Sequence, residues 1–218
     1  MLIFHHRFAE AHKIPSSSSA IVEDIYGMGA SKLASLAFFY FDFRNDEKKD
    51  MRRLVSSLLV QLCDQSDAYF AILSDFYLGH DGGSKHASDS ELVRCLKTIL
   101  ELPKLPTVYI VIDALDECPK NNGLPSSRDE VLKFLAELVS LNIPDLRICV
   151  TSRPEADIKS LLDPLTFKSI SLHDEGGQIR NISRYITAVV NTDPMMRRWK
   201  TADKRLVIDV LSKKAGGM

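Results

Sequence analysis

The 218-residue sequence lacks a long apolar run and an excess of either charge. No window approaches the roughly 20 apolar residues that a membrane-spanning helix needs. The apolar residues 1–4 give way to His5, His6 and Arg7 too early for a signal peptide. The 28 basic and 29 acidic residues nearly cancel, which excludes a global basic field for nucleic acid or an anionic membrane. We therefore expect a cytoplasmic protein that binds neither nucleic acid nor a membrane.

Cysteine, glycine and proline are also sparse. The four cysteines form no C-x-x-C pair and have no histidine at ligand spacing, so the sequence predicts neither a zinc site nor a disulfide framework. Cys63 and Cys149 lie inside apolar runs and are expected to be buried free thiols, which suits a reducing compartment. Because 45% of the residues are hydrophobic and only 10 are glycine, we expect an ordered globular domain with long regular elements.

After residue 35 the sequence alternates apolar strands with amphipathic helices. A single apolar stripe predicts a helix over residues 47–62, and two further helices are predicted to begin at capping boxes, Ser88 with Glu91 and Ser127 with Glu130. This order predicts parallel strands joined by right-handed crossovers, hence a three-layer α/β fold followed by helices only. The predicted strands are residues 36–43, 107–113, 146–151 and, nearer the sheet edge, 167–172.

Three carboxylates follow the predicted strand over residues 107–113, at the edge where an open parallel sheet binds ligands. These are Asp113, Asp116 and Glu117, and residues 113–117 are called the acidic turn below. Crowded carboxylates repel one another unless they share a cation, for which Mg²⁺ with nucleotide phosphates is the usual choice. We expect Asp113 to hold the metal through water, Glu117 to polarise the attacking water and Asp116 to help orient it. The alternative is an acidic turn that only caps the following segment.

The next strand along the chain ends in Thr151, Ser152 and Arg153. A hydroxyl and a guanidinium at a neighbouring strand end can sense a terminal phosphate, because Arg offers a planar fork to phosphate oxygens. We therefore predict that Ser152 and Arg153 contact the nucleotide. The alternative is that Arg153 pairs structurally with a carboxylate of the acidic turn.

Several of these segments together resemble the NACHT nucleoside-triphosphatase domain of fungal proteins. This is the type whose N-terminal module is called nephrocystin-3-like, and it often precedes ankyrin, WD40 or TPR repeats. The resemblance extends from about Ala20 to the last residue. The segments that carry it are residues 39–44, 109–118, 147–155 and 171–175.

The resemblance implies a P-loop NTPase fold of the STAND class, in which ATP or GTP with Mg²⁺ switches a signalling protein between closed and assembled states. It implies that Asp113 is the Walker B metal aspartate and that Asp116 and Glu117 are the acidic pair that follows. Residues 151–153 would then be the sensor segment. Protein partners or self-association through NACHT surfaces are implied as well.

The phosphate-binding loop of that family has no counterpart in the sequence. Such a loop reads G-x-x-x-x-G-K-[ST], because glycine amides cradle the phosphates while the Lys and the hydroxyl bind phosphate and Mg²⁺. The first glycine here is Gly27. In the segment that follows, Lys32 comes after Ser31 rather than glycine, and no hydroxyl follows it. We interpret residues 27–32 as the turn between the first helix and the next strand.

The sequence therefore predicts a divergent segment over residues 1–19 in place of the P-loop region. Its first strand is expected to be missing, with residues 1–4 as a makeshift apolar edge. A NACHT-like α/β core is predicted over residues 20–173, and residues 174–218 are expected to begin a C-terminal helical segment.

We expect a partial NACHT-type NTPase domain whose hydrolysis of nucleotide is weak or absent. The alternative is a non-catalytic protein-interaction or oligomerisation module, favoured by an uncovered apolar stripe over residues 206–211. A metal-dependent nuclease ranks last. It would need a basic groove and further acids at other strand ends, where only Asp42 is present.

Overall fold

The structure is a computed structural model that describes residues 2–5, 21–23, 25–27, 34–103, 106–120, 125–171, 176–193, 195–196 and 198–215. The chain divides into two compact units. The first comprises Met1–Phe4 and Lys13–Ile170, and the second comprises His5–His12 and Ser171–Met218.

The first unit is built on a five-stranded sheet with the strand order β2-β3-β4-β1-β5. Strands β2, β3 and β4 run parallel, with Tyr40 opposite Asp113 and Ile112 opposite Val150. The expected α/β class with a parallel sheet between helices is confirmed. The strands are β1 Leu2–His5, β2 Ala34–Tyr40, β3 Thr107–Asp113, β4 Leu146–Ser152 and β5 Lys168–Ser171.

Among the described residues of the first unit, five helices with complete bounds lie between β2 and β5. The Ser88–Glu91 capping box is confirmed, whereas the second predicted box is wrong by one residue: Ser126 pairs with Asp129. The helix predicted over residues 47–62 begins later, at Met51. The Asp50 carboxylate accepts the Arg53 N–H at 2.9 Å and caps the helix there. The helices are α1 Met51–Cys63, α2 Asp67–Gly79, α3 Asp89–Leu100, α4 Ser127–Ser140 and α5 Ala156–Leu162.

Side chains alternate between the two faces of the sheet and enter two separate cores, as period-2 strands require. Helices α1, α3, α4 and α5 cover the larger core, whereas the helical residues 21–23 and 25–27 cover the smaller one with Val22 and Ile25. Helix, sheet and helix thus form three layers. The strand residues of the larger core are Ala37, Phe39, Val108, Ile110, Ile112, Ile148 and Val150, and those of the smaller core are Ala34, Leu36, Val111 and Cys149.

The prediction that the first strand is missing is wrong. Strand β1, Leu2–His5, lies between β4 and β5 in the interior of the sheet rather than at an edge. A short apolar run without alternation is the pattern of an interior strand, but four residues are too few to distinguish it from an irregular terminus. Residues 28–33, which contain most of the predicted turn at 27–32, lie outside the described residues. Strand β5 does lie at the sheet edge, as predicted.

The second unit contains two helices that pack on each other, α6 Gly176–Thr192 and α7 Thr201–Ala215. The Ser212 hydroxyl donates to the Ser183 hydroxyl at 3.3 Å across this pair, and Val190 is buried. Leu206, Val210 and Leu211 of α7 remain exposed. Among the described residues, no helix combines the length and the apolar character needed to cross a bilayer.

Candidate functional site at the carboxyl ends of β3 and β4

The acidic turn begins at the last residue of β3 and reverses direction sharply. Asp113 ends the strand, and Ala114 adopts a φ of 53°, a left-handed conformation that is strained for a residue with a Cβ. A single 3₁₀ turn follows over Leu115–Glu117, with the fully buried Leu115 anchoring it to the core. The Glu117 N–H donates to the Ala114 carbonyl at 2.8 Å and closes the turn.

The buried Thr151 of β4 connects Asp113 to the neighbouring strand. Its hydroxyl donates to Asp113 Oδ1 and accepts the Ala114 N–H at 3.0 Å. The same side chain therefore fixes the carboxylate and stabilises the strained residue after it. The backbone carbonyl of Asp113 accepts the Phe41 N–H at 3.1 Å, so the end of β2 is fixed here as well.

Asp116 pairs with Arg153, which is the contact that the alternative interpretation of that arginine expects. Asp116 Oδ1 accepts the Arg153 backbone N–H at 2.9 Å, and Oδ2 lies 3.3 Å from Arg153 Nε. The Asp116 side chain is only 9% exposed, whereas that of Arg153 is 55% exposed. The Asp116 carboxylate is therefore bound by the residue that follows β4. The Arg153 side chain is largely exposed to solvent. The role of Arg153 as a phosphate sensor stays a prediction.

Ser152, the other predicted nucleotide contact, is buried and its hydroxyl donates to the Arg153 carbonyl at 2.7 Å. This bond directs the hydroxyl along the backbone of its own segment. The contact of Ser152 with nucleotide stays a prediction.

Glu117 is half-buried at the end of the turn, and its pKa is raised above the ordinary value. Burial is the main cause, and the negative charges of Asp116 and Asp42 add to it. A hydrogen bond from the Phe43 backbone and the charge of Arg44 oppose the rise. A carboxyl group with a raised pKa is suited to general-base chemistry, because its affinity for a proton is increased near neutral pH.

Arg128, which was not predicted from the sequence, is a buried cation near the start of α4 that binds the acidic turn. Its Nε donates to the Cys118 carbonyl at 2.9 Å, and its guanidinium also donates to the Asp116 carbonyl. The guanidinium pairs in addition with Glu155, and with Asp157 at 3.4 Å. Arg128 thus connects the turn after β3 with the segment after Arg153.

A sequence signal for Arg128 does exist. Val131 and Leu132 lie three and four residues further along the same helix and are both buried, so Arg128 falls on the apolar face of α4. A charge on that face needs buried partners, and here they are the turn carbonyls and the two carboxylates.

A divalent cation shared by the acidic turn would need its carboxylates to converge. Within the described ranges, no three His, Cys, Asp or Glu side chains converge as a metal cluster. Asp113 and Asp116 already accept hydrogen bonds from Thr151 and Arg153. The predicted metal role of Asp113 therefore stays a prediction.

A family model described as nephrocystin 3, N-terminal, matches residues 16–153. The chain belongs to this nephrocystin 3 N-terminal family. The matched range includes all five predicted site residues and ends at Arg153. It also includes Arg128 and the Asp116 and Cys118 carbonyls to which it donates, whereas Glu155 and Asp157 lie beyond it.

No curated protein matches the chain. Among solved structures, a chain from "Structure of Drosophila ORC bound to AT-rich DNA and Cdc6" aligns with a TM-score of 0.40 and 12% sequence identity. The alignment covers 99% of this chain and 72% of that chain. A likeness at this distance carries no functional conclusion.

Proposed function

We propose that this nephrocystin 3 N-terminal domain is a STAND-type signalling domain derived from a P-loop NTPase, in which hydrolysis of ATP or GTP is weak or absent. The observation that carries the proposal is that two carboxylates of the acidic turn already have partners within the protein. Asp113 accepts the Thr151 hydroxyl, and Asp116 pairs with Arg153. Both carboxylates thus have partners in β4 or in the residue that follows it.

The motif content of the sequence also supports weak or absent hydrolysis. Phosphoryl transfer is catalysed almost entirely by positioning and charge stabilisation, which backbone amides and a lysine supply in a phosphate-binding loop. The sequence has no G-x-x-x-x-G-K-[ST] motif. Without this motif in the sequence, the acidic turn has no phosphate-binding loop to position the phosphates beside the water that it would activate.

A turnover assay with ATP and GTP in excess Mg²⁺ tests the proposal. Glu117→Gln removes the candidate base, and the matched control Glu130→Gln changes an exposed carboxyl near the start of α4. We expect the wild type and both variants to release phosphate at the same background rate. Turnover by the wild type that Glu117→Gln abolishes and Glu130→Gln preserves would show that the site is a working NTPase.

A second function, a non-catalytic interaction module, is favoured by the second unit. Leu206 and Leu211 of α7 are 64% and 46% exposed, and Val210 between them is exposed too. Large apolar side chains that recur on one stretch of a helix are typical of an association surface. A protein partner or a second copy of the chain would bury them.

Sedimentation at increasing protein concentration, with and without nucleotide, tests this second function. We expect association that nucleotide does not change and that Leu206→Ser with Leu211→Ser weakens. Association that requires ATP or GTP would instead assign the assembly to a nucleotide switch.

A further inference from the structure

Strand β2 is at one end of the sheet order, so one of its sides has no strand partner among the described residues. In a parallel ladder, the backbone groups of successive residues point alternately to opposite sides of the strand. Leu36 and Phe38 are residues whose N–H and C=O groups point away from β3, as their partners below show. An unpaired row of such groups is a template for strand addition.

Two glutamine side chains occupy this row, Gln61 of α1 and Gln65, which lies two residues beyond the end of α1. Gln65 Oε1 accepts the Leu36 N–H at 2.9 Å, and Gln65 Nε2 donates to the Leu36 carbonyl at 2.6 Å. Gln61 forms the same pair of bonds with Phe38, at 3.0 and 2.8 Å. Each amide therefore satisfies both outward groups of one residue, as a neighbouring strand would.

The spacing of helix and strand makes this double pairing possible. Gln61 and Gln65 are four residues apart, which is about 6 Å at the helical rise. This distance is close to the roughly 6.7 Å that separates Leu36 from Phe38 along the strand. The second hydrogens of the amides are used as well. Gln61 Nε2 donates to the Ser57 hydroxyl at 2.9 Å, and Gln65 Nε2 donates to the Gln61 carbonyl at 2.6 Å. Both amides are thus fixed from two directions.

The strand behind these glutamines has the composition of a self-pairing segment. It reads ASLAFFY, which is apolar or aromatic at nearly every position and contains no charge, proline or glycine. Uncharged segments of six or seven residues with high β-propensity pair readily with identical segments. An open cleft of about 940 Å³ lies beside the beginning of the strand and is lined in part by Gln61, Gln65 and Leu36. The edge can therefore be approached from outside.

We propose that Gln61 and Gln65 act as a side-chain strand that closes the β2 edge, and that the partner they exclude is the β2 edge of a second copy of this chain. The inference does not depend on nucleotide chemistry. It makes these glutamines determinants of which surface the chain uses for association.

The test compares Gln61→Ala/Gln65→Ala with the control Val60→Ala/Asp64→Ala. The control shortens two exposed side chains, each one residue before a glutamine. Sedimentation over a concentration series measures association, and hydrogen exchange reports the Leu36 and Phe38 amides. We expect the glutamine variant to associate about tenfold or more tightly than the wild type and the control. In the associated form, both amides should be protected.

Three outcomes would overturn the proposal: a glutamine variant that is less stable but associates no more than the wild type, equal association by the control, or association that leaves both amides exchanging rapidly. If the double variant does not fold, Gln65→Ala alone opens only the Leu36 pair. The proposal then predicts faster exchange at Leu36 than at Phe38 in dilute protein, together with association tighter than that of the wild type. Equal exchange at the two amides, or unchanged association, would overturn it.

Discussion

At the scale of single residues, Glu117 is a carboxyl group whose surroundings oppose its charge. Burial and the neighbouring carboxylates raise its pKa, so the unfolded chain gives up this proton at a lower pH than the folded chain does. The contribution of Glu117 to stability therefore falls as the pH rises above its ordinary pKa. The loss is complete only above the raised value.

We expect Glu117→Gln to raise the melting temperature at neutral pH, because the amide carries no charge to desolvate. The difference from the wild type should shrink as the pH is lowered and Glu117 becomes protonated. Thermal unfolding of the variant and of the exposed control Glu101→Gln across this pH range measures the effect. A variant less stable than the wild type at neutral pH would mean that the carboxylate forms a stabilising contact instead.

Arg128 binds two backbone carbonyls at the end of the acidic turn. Arg128→Met leaves the Asp116 and Cys118 carbonyls and the Glu155 carboxylate without their donor. We expect it to lower the free energy of unfolding by about 2–3 kcal/mol, discounted for the partial exposure of Glu155. Urea denaturation measures the loss.

Lys120→Met is the matched control for Arg128→Met, because Lys120 pairs with Asp157 from an exposed position, at 3.0 Å. We expect this control to change the free energy of unfolding by less than about 1 kcal/mol. Equal losses in the two variants would contradict a special role for the buried guanidinium.

At the scale of elements, the capping box at the start of α3 lowers the pKa of one of its own members, Glu91. Ser88 donates its backbone N–H and its hydroxyl to Glu91, each at 2.7 Å, and these bonds lower the pKa of Glu91 to about 2. The nearby His80 makes a smaller contribution to the same lowering. The stability that Glu91 contributes is present above its ordinary pKa. It is lost as the pH falls toward about 2.

We expect Ser88→Ala to raise the pKa of Glu91 from about 2 toward its ordinary value of 4.5, because the bond from the Ser88 hydroxyl is the largest cause of the lowering. The helix should also fray at its first turn, since the N-cap acceptor is lost. A carboxyl-detected NMR titration of Glu91 measures the pKa. The variant Ser90→Ala serves as the control, and an unchanged pKa in Ser88→Ala would contradict the geometry of the box.

How far the sequence predicts an element depends on its pattern. Strand β3 occurs at the predicted residues 107–113, because an unbroken β-branched run between turn signals has no competing structure. Helix α2, Asp67–Gly79, is not among the predicted helices. Its apolar residues surround the helix instead of forming one stripe: Tyr69 is buried, while Phe70 and Leu78 are exposed.

At the scale of the whole molecule, the cores shield every cysteine. All four are free and buried, as the sequence predicts for Cys63 and Cys149. Burial raises the pKa of Cys63 to about 11 and that of Cys118 and Cys149 to about 12, and it raises the pKa of Cys95 too. Their contribution to stability is therefore present below the ordinary thiol pKa and falls as the pH rises through it, since the unfolded thiols ionise first.

We expect the folded protein to react slowly with a thiol reagent at neutral pH, and all four thiols to react together as urea unfolds the chain. Because Cys63, Cys95 and Cys118 lie in the larger core and Cys149 in the smaller one, joint reaction would show that both cores melt in one transition. The rate of absorbance change against urea concentration measures this. Rapid reaction of one thiol in native buffer would place it at the surface.

The arrangement of the sheet was only partly predictable. Parallel order follows from the alternation of strands and helices, and the edge position of β5 follows from its alternating pattern. The interior position of Leu2–His5 was not predictable, because strand order depends on contacts distant in sequence. The same holds for the site: the carboxylates of the acidic turn are visible in the sequence. Their pairing with Arg153 was one of two alternatives from the sequence, whereas the contacts of Thr151 and Arg128 are fixed only by the fold.

The most direct test of the central claim is an equilibrium titration of the purified chain with fluorescent ATP and GTP analogues in excess Mg²⁺. Because Asp113 and Asp116 are bound by Thr151 and Arg153 and the sequence contains no phosphate-binding loop motif, we predict no saturable binding in the micromolar range. Asp113→Asn should leave the titration unchanged. Saturable micromolar binding that requires Mg²⁺ and is lost in Asp113→Asn would contradict the account.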